Sequence, residues 1–545
     1  MIELKDPAAF DTVFAFFTAT AQAVPDRPFF NVLPETATIY GIAPGELSYA
    51  DAVAQIEAKS EAYRQAGYGK GCRVGLLLEN RPAFLLHWLA LNRLGASVVP
   101  INPDLRSAEL EYLTGHSEME LAVVIETRQE DLTKAGAASG LRVIGPEDPV
   151  PAARQAATQQ TGGADDEAAL LYTSGTTGLP KGCVLANSYF LNCGHWYRFV
   201  GGHCALTLDG ERMITPLPLF HMNALACSTM GMVAVGGCLT VLDRFHPKSW
   251  WESVRQSKAS VMHYLGVMPA MLMSAPETPQ DREHSVRFGF GAGVEERLHG
   301  PFEERFGVPL IEAWAMTETG NGAVVAASQE PRHIGTRCFG RPQDEVVVRV
   351  ELEDGTEAKA GEPGELLVRR AGAKPRYGFL DRYLKDPEAT AEAWRGGWFH
   401  TGDIVRRNPD GTMAFVDRKK NVIRRSGENI AAIEVEGVLM RHPLVAAVAV
   451  AATPDPVRGD EVFVCIVPVE GFERAKAGEI AEEITRWSLE QIAYYKAPGY
   501  IAFVGSLPLT STNKVQRGEL KSLVERLREQ EDTLDLRHLK KRVAA

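Results

Sequence analysis

Apolar and polar positions in this chain alternate between strand-like runs and helix-like spacing. Arg73 to Leu78 is a short apolar run that predicts a strand. Pro82 to Leu94 follows, with Phe84, Leu85, Trp88, Leu89 and Leu91 apolar at helical intervals, and Ala96 to Ile101 predicts another buried strand. Strand, helix and strand in so short a stretch predict a βαβ unit and a parallel sheet. The alternation recurs from Arg212 to Leu242 and from Ser260 to Phe290.

The texture changes after about residue 345. Val346 to Val350 and Gly364 to Val368 predict strands separated by the turn-rich Glu353-Asp354-Gly355, which suits antiparallel sheet, closing the large domain as a distorted barrel. The polar stretch Asp417 to Asn421 separates this region from a final block with the pattern of a small α+β domain. That block predicts a helix over Ile433 to Arg441, strands over Leu444 to Ala451 and Val462 to Pro468, and a helix over Ala477 to Gln491. The fold expected is α/β: a large N-terminal domain over 1–416, a connection over 417–420 and a small C-terminal domain over 421–545. Ala152 to Thr161 reads as a surface loop, and the charged tail from Glu525 to Val543 as a helical or frayed end without legible chemistry.

Composition narrows the function classes. The 545 residues are 45% hydrophobic and 23% charged, with a formal net charge of -12. That balance is ordinary for a globular chain of several domains and argues against a nucleic-acid partner, whose site would be basic. The N-terminus is acidic where a secretory signal would be basic and then apolar, and Cys227 to Leu242 is too short and too rich in Gly and Ala to span a bilayer. The eight cysteines are scattered with no C-x-x-C pair, so reduced thiols and a cytoplasmic location are expected.

The densest chemistry lies in Leu170-Leu-Tyr-Thr-Ser-Gly-Thr-Thr-Gly-Leu-Pro-Lys181. An apolar strand end runs into a loop in which Gly175 and Gly178 let backbone wrap closely around an anion. Thr173, Ser174, Thr176 and Thr177 supply hydroxyl and N–H donors, and Lys181 a positive charge. A Walker A loop needs G-x-x-x-x-G-K-[ST], and this loop does not satisfy it.

Here the chain resembles the adenylate-forming enzymes, the family of acyl-CoA synthetases, firefly luciferase and the adenylation domains of peptide synthetases. In that family this loop holds the β- and γ-phosphates of ATP. Further matches follow in the family's order, spanning roughly residues 25 to 520, and the general run of residues is nearest to bacterial acyl-CoA ligases of the carnitine-CoA ligase type. Trp314-Ala-Met-Thr-Glu-Thr319 resembles the family's aromatic-x-x-Thr-Glu motif. The resemblance implies that Trp314 stacks on adenine, where most members carry Tyr, that Thr317 contacts phosphate and that Glu318 holds Mg²⁺. Gly291-Ala292-Gly293, read as a loop after a strand from Val286 to Phe290, resembles the segment between adenine and the acyl pocket. Asp403, in Thr401-Gly-Asp after Trp398-Phe-His400, matches the carboxylate that accepts from both ribose hydroxyls, a role suited to two acceptor oxygens.

Asp417-Arg-Lys-Lys-Asn-Val-Ile-Arg-Arg-Ser-Gly-Glu-Asn-Ile430 resembles the family's hinge and the loop after it. The resemblance places Arg418 at ribose, Lys420 at the hinge and Gly427 in a loop lining the thiol tunnel once a mobile small domain has rotated. The basic run within this segment could also be read as a solvated face or a nucleic-acid patch; the acidic remainder and the lack of interleaved aromatics disfavour the patch. Lys514, in Pro508-Leu-Thr-Ser-Thr-Asn-Lys-Val-Gln-Arg517, matches the lysine that reaches the substrate carboxylate and α-phosphate, with Asn513 where most members have Gly. Tyr495-Lys-Ala-Pro498 precedes it at the family's distance. His221, after Phe220, matches an aromatic gate on the acyl pocket.

The resemblance therefore implies an ATP- and Mg²⁺-dependent acid–thiol ligase that forms an acyl-adenylate and then an acyl-CoA. The segments matching the acyl pocket carry no Arg or Lys, which favours a small or medium, mostly neutral carboxylic acid. The rival readings are an adenylation enzyme that loads a carrier protein, and an inactive nucleotide-binding relative. No membrane span or nucleic-acid partner is expected, and a homodimer stays open as an assembly.

Overall fold

The structure is a computed structural model that describes residues 3–173, 179–352, 354–418, 423–430, 432–508, 515 and 517–541. The first predicted unit is present as strand Arg73–Leu77, helix Pro82–Arg93 and strand Ser97–Pro100, with the two strands parallel and Val74 opposite Val98. Pro82 opens the helix, where its missing N–H costs nothing. Trp88 is fully buried on the inner face and donates its indole N–H to the Ala168 carbonyl at 3.2 Å. This unit belongs to a sheet whose order, among the described residues, is Arg382–Tyr383, Lys181–Ala186, Glu167–Thr173, Ser97–Pro100, Arg73–Leu77, Leu121–Val124 and Arg142–Ile144.

A second sheet holds the other two predicted rounds. Its central strands Arg212–Thr215, Val261–Leu265, Phe288–Ala292 and Leu310–Trp314 run parallel. Successive side chains of Val261–Leu265 enter different cores, Val261 on one face and Met262 and Tyr264 on the other, so both faces are covered. Helices Val13–Ala23, Asn187–Phe199 and Thr229–Val235 pack on one another, and one apolar core runs continuously through the region from Val13 to Met413. The antiparallel region follows as Cys338–Gly340, Met413–Arg418, Phe399–Arg407, Pro363–Arg370 and Val346–Glu351 in sheet order.

The C-terminal domain is separate and has its own sheet. Val445–Asp455 and Gly459–Pro468 form a long hairpin, longer than the sequence pattern predicts. Helices Ala432–Leu439 and Ala477–Gln491 match their expected positions. Val448 and Val450 pack in one apolar cluster and Ala449 in another, the period-2 signature of a sheet covered on both faces.

Two expectations need correction. Gly291 and Ala292 lie inside the strand Phe288–Ala292 rather than in a loop after it; parallel neighbours on both sides override the low strand propensity of Phe-Gly-Phe-Gly-Ala. The tail is neither wholly helical nor frayed. After helix Arg517–Arg528 it adds a short strand, Leu534–Asp535, and buries Lys540. Among the described residues no helix is long and apolar enough to cross a membrane.

The core carries two buried neutral histidines. His87 sits between the Tyr63 hydroxyl at 2.8 Å and the Pro146 carbonyl at 3.0 Å, and His263 between Tyr197 and Ser228. Burial lowers both from 6.5 to about 3. Each folded-state value lies below its unfolded value, so the stability is complete above pH 6.5 and is lost as pH falls toward 3. By pH 5 each histidine is expected to remove about 2 kcal/mol, from roughly 1.4 kcal/mol per pH unit. Thermal midpoints measured from pH 7 to 4.5 should fall steeply below pH 6.5, whereas a flat profile over that interval would contradict the neutral burial of both rings.

Candidate active site

A cavity of about 380 Å³ opens where the two domains meet, lined by Thr173, Thr317, Glu318, His221 and Gly291 from the large domain and by Gly427, Glu428 and Lys496 from the small one. The glycine- and hydroxyl-rich segment connects two antiparallel strands, with Thr173 and Lys181 directly opposite one another. The described strands on either side are thus paired with each other, whereas a Walker A loop leads from a strand into a helix. Ser174, Gly175, Thr176, Thr177 and Gly178 lie outside the described residues; of the residues that flank them, Thr173 reaches Glu318 and Lys181 reaches the Tyr383 ring.

Thr173 Oγ1 lies 3.3 Å from Glu318 Oε1, and the Tyr383 hydroxyl donates to the same oxygen at 3.3 Å. Lys181 Nζ is 4.9 Å from the centre of the Tyr383 ring and 3.8 Å from Asp386 Oδ2. Tyr383 therefore touches both charged groups, and burial together with the Glu318 charge pushes its hydroxyl far above the ordinary tyrosine range. Sequence reasoning missed Tyr383. It lies about two hundred residues beyond Lys181 and arrives through the two-residue strand Arg382–Tyr383, which pairs beside Cys183 and Val184. The Tyr189 hydroxyl fixes the neighbouring turn by donating to the Thr317 carbonyl at 2.9 Å.

Trp314 ends the strand Leu310–Trp314 and is buried. Its indole N–H donates to Asp403 Oδ2 at 2.9 Å, so the aromatic and the carboxylate that the motifs single out are directly bonded. Asp403 is also buried, in strand Phe399–Arg407, and its backbone N–H is held by Thr401 Oγ1 at 3.0 Å. Its backbone pairs with that of Arg418, whose side chain lies outside the described residues. Beyond the strand that carries Gly291 and Ala292, Gly293 turns with φ +83°. Glu312 accepts the N–H groups of Gly293 at 2.9 Å and Val294 at 2.7 Å, and burial raises its carboxyl.

The small domain reaches the cavity through Gly427. Its φ is +88°, a conformation that favours glycine, and a β-carbon there would meet Leu265 Cδ1 at 2.2 Å, so any other residue strains the backbone and displaces the Leu265 side chain. The next residue, Glu428, places Oε2 3.4 Å from His221 Nε2, and the Phe220 ring lies 4.7 Å from that imidazole. Beneath this loop Arg425 Nε bonds Glu461 Oε2 at 2.8 Å, and Lys540 Nζ bonds Glu461 Oε1 at 2.5 Å. Burial, with Arg425 nearby, lowers the Lys540 ammonium to about 7.

A second buried cation spans the domains. Lys496 Nζ is 2.7 Å from Glu109 Oε1 of the large domain and 2.6 Å from Glu434 Oε1 of the small one. Burial opposes its charge, but the two carboxylates outweigh it and hold the lysine above its ordinary value. Asn102 Nδ2 donates to the Tyr495 hydroxyl at 3.0 Å, and Ala493 N–H to Glu109 Oε2 at 3.0 Å, across the same junction. Lys420 and Lys514 lie outside the described residues. No cluster of three or more His, Cys, Asp or Glu side chains among the described residues could hold a metal ion by itself.

Residues 17–377 match the family model described as AMP-binding enzyme, and residues 434–514 the model for the AMP-binding enzyme C-terminal domain. The crotonobetaine/carnitine–CoA ligase of Salmonella typhimurium is 30% identical over 515 residues, covering 89% of this chain and 96% of that relative. Among solved structures, an o-succinylbenzoate CoA synthetase double mutant from Bacillus subtilis, bound with its product analogue, is 24% identical. It superposes with a TM-score of 0.78 over 93% of this chain and 97% of its own. The same synthetase in complex with AMP gives 0.64 at 23% identity over the same shares, 93% and 97%. An amide bond synthetase from Marinactinospora thermotolerans, 21% identical, gives 0.78 over 93% of this chain and 99% of its own.

Proposed function

The chain belongs to the AMP-binding enzyme family, and on that premise we propose how its residues divide the work of an ATP-dependent acid–CoA ligase. A carboxylate resists attack because its charge repels nucleophiles and its leaving group would be oxide. Attack of the carboxylate on the α-phosphorus of ATP releases pyrophosphate and installs AMP as the leaving group; a thiol then takes the acyl carbon and AMP departs. Both steps bring anions together, so catalysis falls to positioning and to fixed positive charge.

In this reading Thr173, Lys181 and the loop between them hold the β- and γ-phosphates, while Thr317 and Glu318 stand at the reacting phosphate. Trp314 and Gly291 to Gly293 border adenine, and Asp403 and Arg418 take the ribose. Lys514 supplies the charge for adenylation, Lys420 the hinge within 417–420, and the domains divide at 1–416 and 421–545. His221 gates the acyl pocket. The Glu318 carboxylate and Thr173 hydroxyl are hard oxygen donors of the type Mg²⁺ prefers, so they fit that ion. When bound it would neutralise phosphate charge, with Glu318 as its protein ligand and the nucleotide supplying the rest.

One observation carries the thiol half: Gly427 is seated against Leu265 on the cavity wall, with Glu428 at His221. The better superposition on the synthetase holding a product analogue than on its AMP complex is consistent with that arrangement. Coenzyme A is the proposed thiol and a small or medium carboxylic acid the acyl donor. A cytoplasmic location fits eight free cysteines, and a homodimer is the assembly to be measured in solution.

Trp314 is assigned a second task, orienting Asp403. Trp314→Phe keeps an aromatic face and deletes the N–H donor, which costs about 1–2 kcal/mol at a buried carboxylate. The KM for ATP should rise about tenfold with kcat within a factor of three, and a 2′-deoxy or 3′-deoxy nucleotide should lose less than ATP does. An unchanged KM would contradict the role.

The function itself is tested with a carboxylic-acid panel, ATP and Mg²⁺, with and without CoA, reading AMP, pyrophosphate and acyl-CoA mass. AMP that depends on one acid, with acyl-CoA only when CoA is present, is expected. Adenylate without thioester would move the acceptor to a carrier protein, and no turnover across the panel would contradict the ligase.

A further inference from the structure

We propose that Asn223 presents an amide N–H to the acyl group, so that the acid activated here carries an uncharged hydrogen-bond acceptor in its tail: a carbonyl, ether or hydroxyl oxygen. This rests on the ligase reading above and narrows its substrate class. The charged residues of the cavity lie at its phosphate end and at the domain junction. Its inner wall, built from Met222, Asn223, Cys227, Leu265, Phe290 and Val324, carries no charged side chain. Asn223 is the amide in that otherwise apolar wall, at the start of a π-helical segment, Asn223–Ser228, a wide turn often found at functional sites.

A buried relay sets which end of that amide faces inward. The His263 ring is fully buried and neutral, so one nitrogen carries a proton and the other does not. Nε2 lies 2.8 Å from the Tyr197 hydroxyl, while Nδ1 lies 2.8 Å from Asn223 Oδ1 and 2.9 Å from Ser228 Oγ. Tyr197 is fully buried, and His263 is its hydroxyl's hydrogen-bond partner among the described residues. Were Tyr197 to accept from Nε2, its own proton would be left buried without an acceptor, an unfavourable arrangement.

Tyr197 therefore donates to Nε2, the imidazole proton sits on Nδ1, and Nδ1–H points at Asn223 and Ser228. Ser228 Oγ donates to the same Asn223 Oδ1 at 3.3 Å. Two donors converge on the Asn223 carbonyl oxygen, which places the –NH₂ on the cavity side. The flipped amide would set its own N–H groups against both donors. Cys227, one turn on, is not an alternative donor, because its thiol is engaged with Asn321 Oδ1 at 3.1 Å. A hydrocarbon tail would leave the Asn223 N–H desolvated without an acceptor, whereas an oxygen in the tail would pair with it.

The test uses matched acids of equal shape: tetrahydropyran-carboxylate against cyclohexanecarboxylate, para-acetylbenzoate against para-isopropenylbenzoate, and oxohexanoates against hexanoate. Acid-dependent AMP formation is read as kcat/KM. In at least one pair the oxygen-bearing acid should be preferred by about 30-fold or more, equivalent to about 2 kcal/mol at roughly 1.4 kcal/mol per tenfold, the order of the cost of leaving one buried donor unpaired. Asn223→Leu should bring that ratio to about one while the hydrocarbon partner is activated at least as well as by the parent. The fold should survive, since Nδ1–H keeps Ser228. Tyr197→Phe, which frees the tautomer, should shrink the ratio several-fold with little change for the hydrocarbon acid; a merely structural Tyr197 would lower both acids alike. Equal use of both members of every pair, or a preference untouched by Asn223→Leu, overturns the inference and leaves the ligase standing. Activation of no acid at all overturns both.

Discussion

Gly427→Leu is expected to lower thioester formation by about 100-fold or more while acid-dependent ATP–pyrophosphate exchange stays within about threefold of the parent. The backbone at Gly427 lies at φ +88°, and its Cα is so close to Leu265 that even a β-carbon would stand 2.2 Å from Cδ1. A leucine is strained at this left-handed φ and also crowds the Leu265 side chain, so the loop is expected to shift, and a displacement of about 1 Å at a reacting site costs on the order of 100-fold. If the first half-reaction runs with the small domain turned elsewhere, this contact is absent there and exchange is spared. Single-turnover assays from a preformed acyl-adenylate separate the two steps. Equal losses in both would mean that one arrangement of the domains serves both reactions.

Lys496→Met should split the half-reactions in the same direction by an electrostatic route. Lys496 lies between Glu109 and Glu434, with both carboxylates almost wholly buried. Removing one partner of a buried ion pair costs about 3–5 kcal/mol, because the remaining charges stay desolvated. Here two like charges would also face each other across the junction, so this arrangement of the domains should lose population. Thioester formation is expected to fall about 100- to 1,000-fold, with pyrophosphate exchange much less affected. Adding Glu109→Gln should restore part of the loss by removing the repulsion. A Lys496→Met enzyme that keeps its thioester rate would show that the contact does not hold the domains together.

Much of the fold could be read along the chain because its signal is local. Pro82 with the apolar spacing of Phe84, Leu85, Trp88 and Leu91 specifies a helix, and the runs on either side have no polar alternation, as strands buried on both faces require. Phe288–Ala292 was less legible, since two glycines hide a strand whose pairing depends on neighbours elsewhere in sequence. The loop between Thr173 and Lys181, Glu318 and Asp403 stood out by residue type and order. Their partners did not: Tyr383, Glu109 and Lys540 meet the site or its supports only through long-range pairing, and no periodicity marks such a contact in advance. The buried tail illustrates the same limit. A charged terminal stretch ordinarily stays in water, and Lys540 is drawn inside by Glu461, which already faces Arg425.

The central claim is that the acid is activated by joining its own carboxylate oxygen to the α-phosphorus of ATP. Supplying the preferred acid with oxygen-18 in its carboxylate and measuring the mass of the released AMP tests this directly. One labelled oxygen in AMP, with none in pyrophosphate, is the predicted result. Unlabelled AMP alongside thioester, or label recovered in inorganic phosphate, would contradict the account.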